Sequence, residues 1–254
     1  MDLELKGCRV LVTGSSRGIG FSIAKAFLNE GCAVVLNSKN SVSLTKSVKL
    51  LETSGSCFGV TADVTKVTDT QKLISKTSDL LGGLDILVCN VGSGRSVKAG
   101  TESKKDWEKM LGINFFSTTN VVEAARTELS ESKGSVICIT SICGLEVIPG
   151  APVTYSVAKA ALNAYIRGIA RPLAKNEIRI NGIAPGNIMF EDSVWNKKMA
   201  ADPDAVEKML NENVPLKCFG TTGDIANLSL WLASPVSKFV TGSIYTMDGG
   251  QTKC

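Results

Sequence analysis

A chain of 254 residues, 44% of them hydrophobic, can fill one sizeable core, and open α/β folds of this length are commonly a single domain. Its 28 basic and 24 acidic residues leave a net charge of +4 with no run of Lys or Arg, which excludes a nucleic-acid footprint. There is no histidine, and the eight cysteines (8, 32, 57, 89, 138, 143, 218 and 254) contain no Cys-x-x-Cys pair, so no metal site is expected and the thiols read as mostly buried and free.

The opening MDLELKGCRV carries acids and no long apolar stretch, and no later segment approaches the ~18 apolar residues of a membrane span. A soluble, cytoplasmic protein is expected. Apolar runs of strand length then recur: CRVLVTG, CAVVLNS, CFGVTADV, LDILVCNVG, SVICITS, IRINGIAPG and SIYTMDGG. Several lack in-out alternation, as parallel strands covered on both faces do. Between them the helical period predicts helices over 18–29, 41–54, 66–81, 101–111, 114–131, 155–175 and 222–233. The alternation points to an α/β fold, a doubly wound sheet of about seven parallel strands with helices on both faces.

Two segments break this rhythm. Pro172 falls inside the 155–175 helix, where it removes a hydrogen bond and clashes with the Gly168 carbonyl, so a kink or an end near Arg171 is expected. Residues 187–216 contain no strand; ligands of open sheets lie beyond the carboxyl ends of the strands, so this insertion is a candidate lid. Phe190, Trp195 and Met199 would form an apolar wall in it, or pack within a helical hairpin.

The first strand ends in TGSSRGIG, residues 13–20, and runs straight into a helix. Gly14, Gly18 and Gly20 permit a tight turn and close approach, and the helix start offers free N–H groups to a diphosphate. Strand two ends in VVLNSKN without the carboxylate that would bind both ribose hydroxyls and repel a 2′-phosphate. Arg17 and Lys39, with Ser38 and Asn37, could instead meet that phosphate, so NADP(H) is the expected cofactor.

Tyr155 and Lys159 are four residues apart on one helix face. A lysine ammonium roughly 4 Å from the phenolate, at ~4 kcal/mol for an effective dielectric of 20, could lower the tyrosine pKa by up to ~3 units before desolvation opposes it. That pair could take the place of the missing histidine.

The glycine loop, NVG (90–92), Asn114, Ser141, Tyr155-x-x-x-Lys159, NGIAPG (181–186) and DGG (248–250) occur in this order across essentially the whole chain. Together they resemble the short-chain dehydrogenases/reductases, and most of all their 3-oxoacyl-acyl-carrier-protein reductase branch. The resemblance implies a Rossmann-type fold in which Ser141 holds the substrate oxygen and Tyr155 exchanges its proton. Lys159 would bind the nicotinamide ribose, and Asn114 would hold a water of the proton relay. The serine register, with Gly144 three residues on, selects Ser141 over Thr140.

The same resemblance implies that Ser16, Ile19, Val64, Gly92, Pro185, Gly186 and Ile188 line the cofactor, with Asp63 at the adenine edge and the backbone near Asn90 at the ribose. Where family members carry a threonine for the nicotinamide carboxamide, this chain has Phe190, so the contact is lost, replaced by backbone or Ser193, or shifted by the insertion. Implied activities are a reductase of a small ketone or 3-oxoacyl thioester, or a sugar or polyol dehydrogenase; a dinucleotide sensor without catalysis is the third reading. A homotetramer is expected, with the 155–175 helix and the C-terminal tail at interfaces. Arg126, Lys133, Arg167 and Arg171 could meet an acidic carrier protein.

Overall fold

The computed structural model describes residues 2–253, so Cys254 lies outside the described residues. Among the described residues nine strands follow in chain order: β1 (Arg9–Val12), β2 (Ala33–Ser38), β3 (Cys57–Thr61), β4 (Ile86–Cys89), β5 (Ser135–Ile139), β6 (Arg179–Pro185), β7 (Ile188–Met189), β8 (Gly220–Thr221) and β9 (Ile244–Met247). Seven form one sheet in the order β3-β2-β1-β4-β5-β6-β9, and β7 pairs with β8. Every ladder is parallel.

The continuous apolar runs have the expected cause, since β4 and β5 are buried at every position. Alternate residues feed opposite layers. Val10, Val12, Val34, Leu36, Val88 and Ile137 pack into one core, while Leu11, Val35, Leu87, Val136 and Cys138 pack into the other. Each large side chain so buried contributes roughly 1.5–3 kcal/mol. The strand order reverses direction between β1 and β4, which opens a crevice at their carboxyl ends.

The helices are α1 (Gly18–Asn29), α2 (Ser41–Leu51), α3 (Val67–Leu81), α4 (Lys104–Leu111), α5 (Ser117–Ala124), α6 (Arg126–Ser132), α7 (Val153–Ala174), α8 (Val194–Ala201), α9 (Pro203–Asn213) and α10 (Thr222–Ala233). The predicted 114–131 helix is divided: Gly112–Phe116 is a π-helical turn, and Ala125 leaves helical geometry between α5 and α6. α4 starts later than 101 because Ser103 and Asp106 form a reciprocal cap there. α7 does not end at Arg171. Pro172 falls in its last turn, and Gly168, whose carbonyl loses its partner, is exposed to water.

The 187–216 insertion contains β7 and then the helical hairpin α8–α9. Of the two readings for these side chains, a common wall is not formed: Trp195 packs on Phe219 with ring centroids 5.5 Å apart, whereas Phe190 turns back to Gly18.

Candidate active site

The glycine loop connects β1 to α1, and protein groups fill the spaces its glycines leave. A Cβ on Gly14 would lie 2.9 Å from Val91 Cγ2 and 3.3 Å from Asn90 Nδ2, and Gly14 adopts φ +62°. A Cβ on Gly20 would collide with the same Asn90 amide and with the Gly14 carbonyl. Asn90 Nδ2 donates to the carbonyls of Thr13 (3.1 Å) and Gly14 (3.0 Å), and Asn90 N–H donates to Thr13 Oγ1 at 3.0 Å. Asn90 thus clamps the loop to the end of β4, a role its position in the sequence does not announce.

No side chain accepts from the first-turn N–H groups of α1, and no acid occupies that turn. The helix start therefore keeps its donors and positive dipole end for an anionic ligand. Arg17 and Lys39 are exposed, and among the described residues no carboxylate pairs with either. Ser16 Oγ donates to Ser38 Oγ at 3.2 Å, which joins the two segments that carry Arg17 and Lys39 as next residues. Asn37 belongs elsewhere. Its amide donates to the carbonyls of Val60 and Ala62, both at 3.1 Å, so it ties β2 to β3 and does not face a 2′-phosphate.

Asp63 accepts from Thr65 N–H (3.1 Å) and Thr65 Oγ1 (2.7 Å). Burial works to raise its pKa, but these bonds and the charges of Lys39 and Lys66 hold it below the usual carboxylate value. The side chain of Val64 is buried and its carbonyl accepts from Asn120, and Ile188 is buried against Gly220. Both can meet a cofactor through main-chain atoms alone. Ile19 packs partly against the core, and Pro185 and Gly186 close the end of β6, where Gly186 N–H donates to Met247. These residues suit a dinucleotide, whose nicotinamide would supply the hydride chemistry.

The proton end is built by β5, the π turn and α7. Lys159 is 3% exposed, and its ammonium donates to the Ile139 carbonyl at 2.8 Å. It lies 6.0 Å from the Tyr155 ring centroid. Ser141 accepts from Cys143 N–H at 3.2 Å, which fixes its oxygen and leaves its own proton to donate. A Cβ on Gly92 would stand 3.3 Å from Lys159 Nζ and 3.0 Å from Asn114 Oδ1, so these groups converge on one point. The Asn114 amide is engaged with protein: Nδ2 donates to the Ser93 and Met110 carbonyls, both at 3.1 Å, and Oδ1 accepts from Ser93 N–H at 2.8 Å. Asn114 therefore locks the 91–93 loop onto the π turn.

The expected lowering of the tyrosine pKa is not realised in this state. Burial pushes Tyr155 up to about 12, Ser141 pulls it part of the way back, and the Cys143 charge adds to the rise. Burial brings Lys159 down to about 8, against smaller opposing effects of Cys138 and Cys143. The lysine is held by Ile139 and stands too far off to overcome desolvation of the phenolate. Tyr155 accordingly carries its proton at neutral pH.

Ser193 does not replace the missing threonine hydroxyl. It is 5% exposed and its oxygen caps α8 by accepting from Asn196 N–H at 2.9 Å.

The sequence pattern of the family described as enoyl-(acyl carrier protein) reductase matches residues 14–252. A 3α-hydroxysteroid dehydrogenase of Mediterraneibacter gnavus is 33% identical over 98% of both chains. A rhamnolipid-biosynthesis 3-oxoacyl-[acyl-carrier-protein] reductase of Pseudomonas aeruginosa is 29% identical over 97% of both. The crystal structure of L-sorbose reductase from Gluconobacter frateurii, complexed with NADPH and L-sorbose, superposes with a TM-score of 0.93 at 27% identity, covering 100% of both chains. By the match over residues 14–252 and the 33% identity over 98% of both chains, the chain belongs to the short-chain dehydrogenase/reductase family of NAD(P)-dependent oxidoreductases.

Proposed function

We propose that this protein is an NADP(H)-dependent carbonyl reductase acting on a small ketone or a 3-oxoacyl thioester. The observation that carries the reading is geometric: a buried Lys159, held by the Ile139 carbonyl at the end of β5, lies 6.0 Å from the Tyr155 ring centroid, and Ser141 follows two residues after Ile139. Ser141 donates to the substrate carbonyl oxygen. Tyr155 delivers the proton as that oxygen gains charge, and the Lys159 ammonium stabilises the phenolate left behind. Asn114 keeps the 91–93 loop in place against Lys159. NADP(H) is favoured by Arg17, Lys39 and Ser38, which leave no carboxylate to repel a 2′-phosphate, and by the NADPH held in the similar L-sorbose reductase.

The experiment is NADPH oxidation with acetoacetyl thioesters and with keto-sugars, using Tyr155→Phe as control. Turnover of the thioester, lost by a factor of about 10²–10⁴ in the variant, supports the reading. Turnover of keto-sugars alone moves the assignment to the sugar or polyol dehydrogenase reading, with which the full-length superposition on L-sorbose reductase is equally compatible. Absence of turnover on either class, with NADPH still bound, would favour the sensor.

A homotetramer belongs to the same proposal. α7 packs on the π turn, and Val153, Val157 and Phe116 on these adjoining elements are 41–48% exposed. A monomeric mass in solution would exclude it. Arg126 pairs with Glu123 and Lys133 with Glu177, so Arg167 and Arg171 remain the stronger candidates for an acidic carrier. The free thiols of the described cysteines suit a reducing cytoplasm, which cell fractionation tests. No helix among the described residues is long and apolar enough to cross a membrane.

A further inference from the structure

Phe190 stands where a hydroxyl is expected, and its ring lies at the helix start that offers the uncapped N–H groups. An ideal Cβ on Gly18 would be 2.7 Å from Phe190 Cε2 and 3.1 Å from Cδ2 and Cζ, so this edge of the ring rests on the glycine itself. Gly18 has φ +58°, which keeps larger residues out and the contact open. An aromatic edge carries partial positive charge and excludes water, yet it cannot satisfy an N–H donor. The donors of α1 beside it require an acceptor from outside the protein.

The same residue begins the lid. The Phe190 carbonyl accepts from Ser193 N–H at 3.0 Å, and Ser193 then caps α8. Just before Phe190, Ile188 and Met189 are fixed to Gly220 and Thr221 by the β7–β8 ladder. Ring, cap and the start of the first lid helix therefore follow one another within five residues, with a firm base behind them.

We propose that Phe190 is a positioning residue that couples the lid to the diphosphate of the bound dinucleotide. The proposal rests on the dinucleotide reading above. Diphosphate oxygens that accept from the α1 N–H groups lie against the ring edge, and the ring shields these contacts from water, where charge and dipole interact more strongly. The filled seat in turn holds the ring, and through Ser193 it holds α8. Nucleotide binding and ordering of 190–213 become one event.

The test measures binding of three ligands to the full-length wild type, Phe190→Ala and Phe190→Leu by calorimetry. NADPH and 2′-phospho-ADP-ribose contain the diphosphate, whereas adenosine 2′,5′-bisphosphate does not. Phe190→Ala should weaken the first two up to about tenfold, the equivalent of one aromatic contact, and leave the third within about twofold. Phe190→Leu, which restores apolar cover, should recover part of the loss. Hydrogen exchange supplies the second readout: saturating NADPH should slow exchange across 190–213 in the wild type and do so less in Phe190→Ala. Equal affinities for the diphosphate ligands in wild type and Phe190→Ala, an equal loss for all three, or unchanged lid protection would each overturn the role of Phe190. Failure of the wild type to bind NADPH would instead remove the dinucleotide reading on which the proposal stands.

Discussion

Replacing Lys159 by methionine should abolish turnover and yet make the ligand-free protein more stable at pH 7. The lysine is 3% exposed, and burial takes its pKa from 10.5 to about 8. At ~1.4 kcal/mol per pKa unit, keeping it charged costs the fold roughly 3 kcal/mol. Against this stands the hydrogen bond from Nζ to the Ile139 carbonyl, whose loss leaves a buried acceptor at a cost of about 1–3 kcal/mol. Methionine fills a similar apolar volume. The balance is a gain of about 1 kcal/mol, or a melting temperature higher by roughly 2–4 °C for a chain of this size.

The pH dependence identifies the cause. Between about 8 and 10.5 the unfolded chain binds more protons at this lysine than the native one does, so wild-type stability rises with pH in that window. The methionine variant lacks this contribution. Its advantage should be complete below about pH 8 and gone by 10.5, where the lost hydrogen bond leaves it the less stable protein. Thermal unfolding of both proteins at pH 7 and near pH 10 measures this, with NADPH turnover recorded alongside. A variant less stable at pH 7, or a difference that does not change with pH, would refute the reasoning.

Other outcomes follow from the same site. Ser38→Asp places a carboxylate beside Ser16, at the end of β2, and should move the kcat/KM ratio from NADPH toward NADH by about tenfold or more; an unchanged ratio would mean that the 2′-phosphate lies elsewhere. Gly144→Ala would set a Cβ 2.6 Å from the Lys159 carbonyl carbon and 2.8 Å from Ala160 N, so the urea midpoint should fall by the equivalent of about 1–3 kcal/mol. A midpoint equal to wild type counts against the close docking of that turn on α7. For carbonyl reduction, kcat/KM should stay level up to about pH 8 and decline above it as Lys159 loses its proton, while Tyr155 remains an acid. A rising alkaline limb would assign the proton to another group.

The sheet is legible in the sequence because strands buried on both faces, such as ILVC and SVICI, leave unbroken apolar runs. Tyr155 and Lys159 are legible because a spacing of four residues fixes their common helix face. That spacing does not say where the lysine ammonium ends. Its orientation toward Ile139 depends on how β5 and α7 pack, and with it the sign of the tyrosine shift. Asn37 looks like a polar residue at a strand end, yet its amide turns inward to two carbonyls at the end of β3. The π turn is set by Asn114 and its partners Ser93 and Met110, one of them twenty-one residues away, and no local propensity encodes that. Phe190 is visible as an exception to a pattern, but its contact with Gly18 joins segments 172 positions apart and emerges only from the fold.

The clamp at Asn90 bears on how such motifs persist. Its amide occupies the space that a side chain on Gly14 or Gly20 would need, so these three residues form a single unit of inheritance. A relative that had lost its nucleotide would still be under pressure to keep both glycines for as long as it kept the asparagine. A smaller residue at position 90 would not by itself release position 20, because a Cβ there would still stand 2.7 Å from the Gly14 carbonyl oxygen and 3.0 Å from Ser15 Cα. Glycine at 14 and 20 would therefore persist through protein packing even without a nucleotide, and glycine at 14 and 18 also through the positive φ that both adopt.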